Sequence, residues 1–260
     1  MPDALPAWPR PNFTPNAGQP FLLFAAFGAL DLSVPIDRDR YRAAGVPGGC
    51  ELLLYDAAVQ KSSFHHLRDS AAWQQAADEA PELAALAKCA RQFAFLRGHV
   101  RKSFTLEYLR DAVGIIEYLG DRGATAIFDP HTLQFWSPAD WHARLFAPAK
   151  PVPHEHVLIL ESEDSGGLAW VHTRGLRKFG RPDLSVRGVG PAYRDRVVDL
   201  FNHYVDYLAG GGTILSGDRV TLVGLPPGGI FQVDPRLDHE EFQNAHAECV
   251  WPPGALADNH

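Results

Sequence analysis

The stretch TLEYLRDAVGIIEYLGDRGATAIFDP, residues 105–130, carries a complete helix and then a strand. Leu106, Leu109, Val113, Ile116 and Leu119 recur at steps of three and four, the period of an α-helix with one buried face. Thr105 can cap its start, and Gly120 or Gly123 can close it. Gly123–Pro130 then reads as a short strand running into a turn. Helix and strand in direct succession predict an α+β chain.

The reading extends in both directions. Downstream, Ser137-Pro138-Ala139-Asp140-Trp141 opens another helix, with Ser137 as cap and Pro138 at the first helical position. Upstream, Phe93–Val100 looks like a strand, and residues 70–90 are alanine-rich with Leu83, Leu86 and Ala90 at helical spacing. Cys50–Tyr55 reads as a strand whose leucines suit burial on both faces, and Pro20–Phe27 as the first strand. Residues 1–19, rich in Pro, Asn and Gly, predict an extended, poorly ordered lead-in.

Residues 147–153 hold three prolines in seven positions and form the best linker candidate. Beyond it, strands are expected at His156–Glu161, Leu168–His172 and Asp183–Gly188. A helix from Tyr193 to Leu208 stops at Gly210-Gly211-Gly212, read as a flexible helix stop. Thr213–Leu215 and Arg219–Val223 resemble a hairpin, and a last strand spans Ala245–Val250. The expected fold is α+β, a mixed or antiparallel sheet with helices packed on one face. Two α+β halves, 20–147 and 154–253, are suggested as related, although no fixed-period repeat is visible.

Composition narrows the function. The chain has 260 residues, 46% hydrophobic and 21% charged, with formal charge −7. Nucleic-acid binding needs clustered Lys and Arg; the densest basic stretches, 97–102 and 172–178, are short and set among apolar residues, so no nucleic-acid partner is expected. Cys50, Cys89 and Cys249 lie far apart in no paired spacing and predict buried free thiols, not a disulfide framework. The start lacks a basic stretch leading into an apolar core, and Phe21–Leu30 is half the length of a membrane span. A cytoplasmic protein with no membrane partner is expected.

No cofactor is expected either. G-x-G-x-x-G, G-x-x-x-x-G-K-[ST], G-x-S-x-G and H-E-x-x-H are all missing from the sequence. Twelve histidines invite a metal test. His154-Glu155-His156 has ligand-competent residues but reads as a solvated strand start. His65-His66 reads as a polar loop, and His239-Glu240-Glu241 with His246 as a helix start with acidic residues in its first turn. No metal site is expected.

The most specific segment is Trp170–Leu184, WVHTRGLRKFGRPDL. Trp170 and His172 share one strand face, Gly175 and Gly180 permit turns, and Pro182 starts the next extended stretch. As scaffold, His172 bonds backbone and Asp183 satisfies loop amides. As a site, His172, Arg174, Arg177 and Asp183 converge at a cleft rim. The pattern W-x-H-T-x-G-L-x-x-F-G-x-P-D-L resembles the signature of an uncharacterised bacterial family, a domain of unknown function. Residues 126–130 with 137–141, and the late segment 237–248, are similar to that group in the same order. The resemblance implies an α+β fold without an assigned reaction. Some relatives lie near toxin and immunity genes, which points to protein–protein neutralisation. It also draws attention to Asn244, His246 and Glu248 beside the His172 turn.

Three readings remain open, one of them a structural subunit of a larger assembly; the other two are more specific. One is a non-enzymatic binding protein, in its specific form an immunity-type protein that neutralises a toxin. An acidic chain suits a basic partner, and Trp136, Trp141 and Trp251 are expected as exposed interface anchors. The other is an enzyme using His172 and His246 as acid/base groups, with Arg174 and Arg177 binding an anionic substrate.

Overall fold

The computed structural model describes residues 5–15, 18–237 and 242–257, leaving aside the side chains of residues 61–63. The chain divides into two compact units. The first holds the N-terminal residues through Pro9 together with Gln19–Glu155; the second holds Arg10–Gly18 and the chain from His156 onward.

In the first unit, β1 (Phe21–Gly28) is a central strand because FLLFAAFG is apolar throughout. Such runs suit burial on both faces. After α1 (Arg38–Tyr41) come β2 (Cys50–Asp56), α2 (Lys61–Arg68), α3 (Ala71–Glu79), α4 (Pro81–Cys89) and β3 (Gln92–His99). Then follow α5 (Glu107–Asp121), β4 (Ala124–Asp129), β5 (Gln134–Trp136) and α6 (Pro138–Trp141). A π-helical turn, His142–Phe146, continues α6. The strands form a five-stranded sheet in the order β2-β3-β1-β4-β5, every pair antiparallel.

Alternation along the strands sends two apolar sets to opposite faces. Phe27, Phe93, Phe95, Ala126 and Phe128 pack with Phe64, Trp73, Ala76, Ala84 and Ala87 from α2–α4. On the other face, Phe24 meets Trp141 edge-on at 5.5 Å, and Ile127 pairs with Trp136. Helices therefore flank both faces here, where a single helical face was expected, because both faces of β1 and β4 are apolar.

The second unit runs β6 (Leu158–Glu163), β7 (Ala169–Arg174), β8 (Asp183–Val189), α7 (Arg194–Ala209), β9 (Arg219–Val220), β10 (Gly229–Asp234) and β11 (His246–Val250). Its six-stranded sheet has the order β6-β7-β8-β11-β10-β9. Only β8 and β11 pair in parallel, so this sheet is mixed. Helix α7 packs on β7 and β8. Both units are α+β, but their strands are ordered differently.

Several expectations change. Leu54 of β2 is exposed because β2 is an edge strand. Pro81 divides the alanine-rich stretch into α3 and α4, and His65-His66 lie on α2, not in a loop. Residues 213–215 form no strand; β9 pairs with β10, a strand that glycine- and proline-rich flanks concealed. Of the thiols only Cys249 is buried, and Cys89 is exposed at the end of α4.

The three tryptophans expected as exposed anchors are instead buried. Trp141 bonds the Val113 carbonyl, Trp251 bonds that of Pro226, and Trp136 packs against Trp141. The lead-in is docked as well. Trp8 is buried and bonds Ala149, while Asn12 and Thr14 donate their backbone N–H groups to Gly210 and Gly211. The glycine run thus marks close approach: a Cβ on Gly211 would sit 2.5 Å from Phe13 Cα.

Candidate functional site

The segment 170–184 folds into β7, a 3-10 turn at Leu176–Phe179 and the start of β8. Gly175 and Gly180 bracket the turn at φ 117° and 65°, the left-handed region that glycine enters without a Cβ penalty. β8 lies between β7 and β11, so the late segment 246–248 comes alongside. His172 pairs with Ser185 across β7 and β8, while Asp183 and Ser185 pair with His246 and Glu248 across β8 and β11.

The eight expected residues separate into two groups. Asp183 and Asn244 build a buried hub at the strand ends, and the half-buried Arg177 lies at its edge. Asp183 accepts from Asn244 Nδ2 at 2.7 Å, and from Thr173 Oγ1 and the Leu176 N–H at 3.2 Å. Asn244 also donates to the Arg181 carbonyl, and Arg177 to that of Gln243, at 2.8 and 2.7 Å. Thr173 Oγ1 in turn accepts from the Leu184 N–H. Burial pushes the Asp183 carboxyl up to about 6, against the pull of those donors and of Arg174.

The other group lies on the sheet face opposite α7. Trp170 and His172 stack with ring centroids 4.0 Å apart, and Phe242 meets both edge-on. Phe242 also stacks on His246 at 4.3 Å, and Ser185 Oγ lies 2.8 Å from His246 Nε2. The Arg187 guanidinium covers the Trp170 ring at 4.2 Å and reaches Glu248 at 4.0 Å. Arg174 is two residues beyond His172 on the same strand and is half-buried. Arg187 and Gln232 are exposed, and Trp170, His246 and Glu248 are partly so. Beside Arg187 and Glu248 a cavity of about 290 Å³ runs toward Trp251 and Leu256.

Chemically this face is a poor acid/base centre. Burial, with Arg174 and Arg187 nearby, pulls His172 down to about 4, so its ring is neutral at pH 7. Ser185 and His246 have the spacing of a nucleophile and base, but Ser185 is fully buried. Among the described residues no group of three His, Cys, Asp or Glu side chains is placed to hold a metal. His239-Glu240-Glu241 lies outside the described residues. Pro153–Glu155 forms one 3-10 turn, and His156 is buried after it, in place of the expected solvated strand start.

Ser185, Arg187, Thr173 and Phe242 join the site without having been singled out. The alternation Asp183-x-Ser185-x-Arg187 along β8 was the available signal for two of them. No family model, curated protein or solved structure matches this chain.

Proposed function

We propose that the chain is a non-enzymatic binding protein whose recognition surface is the β7–β8–β11 face. The observation that carries this reading is a polar atom, Trp170 Nε1, buried there with no hydrogen-bond partner among the described residues. Folded proteins pair most of their buried polar atoms, and an incoming partner can supply what is missing. Around it the aromatic and arginine side chains are the types that dominate interface energetics. The hub of Asp183 and Asn244, with Arg177 at its edge, holds the strand ends beneath them, which lowers the ordering cost of association.

The net charge of −7 and the resemblance to families near toxin and immunity genes make a basic protein, in the immunity form a toxin, the specific partner. The acid/base reading with Arg174 and Arg177 on an anionic substrate has less support. His172 is held neutral, and Arg177 is committed to Gln243.

Affinity capture from the source cell tests the proposal. Wild type and Tyr207→Ala, a control on α7, should retain one basic partner that Glu248→Arg and Trp170→Ala lose. Identical captured sets from all four proteins would refute it. The immunity form further expects that co-expression relieves the growth defect caused by that partner.

A further inference from the structure

A second site lies in the first unit. A cleft of about 460 Å³ is bounded by α1, α5, β4, α6 and the π-helical turn. That volume is in the range of small-molecule pockets. Its floor is apolar, from Ile116, Ile127, Pro138 and Phe146. Its polar groups are Glu117 and Asp121, one turn apart on α5, with His142, Arg40 and Tyr41 facing them.

These groups fix one another and leave defined capacity open. His142 Nδ1 lies 2.7 Å from Glu117 Oε1, so Nδ1 donates there, and in the neutral ring Nε2 accepts. Asp121 Oδ2 accepts from both Tyr41 OH and Arg40 Nη2. Among the described residues Glu117 Oε2, Asp121 Oδ1 and His142 Nε2 have no hydrogen-bond partner, and Arg40 keeps unused N–H donors on a largely exposed side chain. Charge is balanced. Two carboxylates face the guanidiniums of Arg40 and of Arg42, the latter stacked over Phe146 at 4.0 Å. A cation would meet the arginines, and an anion the carboxylates. Burial raises the Glu117 carboxyl, with His142 pulling the other way. The π-helical turn that positions His142 is a feature often found at functional sites.

We propose that this cleft binds a small neutral polyol of monosaccharide size, its hydroxyls donating to Glu117, Asp121 and His142 and accepting from Arg40. Hydroxyls both donate and accept, which matches three open acceptors beside a spare donor.

Saturation-transfer NMR on the full chain tests it, with D-glucose, D-ribose and myo-inositol as polyol probes, n-butylamine as cation and propionate as anion. At least one polyol should bind more tightly than both ions. Glu117→Gln and Asp121→Asn should each weaken it about tenfold or more, the scale of one charge-assisted hydrogen bond, with melting temperature unchanged. His142→Gln, which keeps an acceptor, should weaken binding less than His142→Ala. No polyol binding, tighter binding of either ion, or affinity indifferent to both carboxylate variants would overturn the proposal. Glu248→Arg in the second unit separates this site from the other: it should leave polyol binding intact.

Discussion

Asp183 and His172 are buried in the same sheet and titrate against each other. Asp183 is raised from 3.8 to about 6, so the folded state holds its proton longer than the unfolded chain does. Its contribution is fully present below pH 3.8 and is lost as pH rises through 6. His172 is lowered from 6.5 to about 4, so the unfolded chain binds its proton first as pH falls. Its contribution is fully present above pH 6.5 and disappears as pH falls through 4. Each shift corresponds to about 3 kcal/mol, and over pH 4–6 the two slopes oppose. Asp183→Asn should therefore gain stability relative to wild type as pH rises from 4 to 6.5. His172→Gln should lose it over the same window. Urea unfolding at four pH values checks both, and parallel curves for all three proteins would contradict the pairing. The sequence marked both residues through one specific segment. It could not say that Asp183 would be enclosed, because its enclosing groups come from Leu176 and from Asn244 sixty-one positions away.

Among the elements, α7 shows what could be read and what could not. Val197, Leu200, Phe201, Val205 and Leu208 are buried as their helical spacing requires, and the helix ends at the glycines as expected. The glycines' purpose was hidden, because it depends on chain distant in sequence. Arg10 donates to the carbonyls of Ala209, Leu208 and Phe179, and Arg181 to those of Gly211 and Gly212, so two buried guanidiniums cap the negative end of the helix. Gly211→Ala should cost more than about 2 kcal/mol in urea unfolding, since it combines φ 99° with a Cβ driven into Phe13. Gly217→Ala, also at positive φ but in open space, should cost less. The same locality limit explains the buried tryptophans. Nothing near Trp141 in sequence announces that Phe24 lies against it.

At the scale of the whole molecule, the chain leaves the first unit after Glu155, but one earlier segment already crosses. Arg10–Gly18 belongs to the second unit although it precedes the first unit's opening strand. The second unit is therefore incomplete when cut at the linker. A fragment beginning at His156 leaves the carbonyls of Ala209 and Gly210 without the Arg10 and Asn12 donors that occupy them. Unpaired buried carbonyls cost about 1–3 kcal/mol each, and two such losses take a large part of a small domain's stability. The fragment should melt well below the intact chain. A synthetic peptide of residues 9–18 added in trans should raise its melting temperature in proportion to the logarithm of peptide concentration, while an Arg10→Ala peptide should not. Equal melting of the fragment with and without peptide would show that the second unit closes its helix end without this segment.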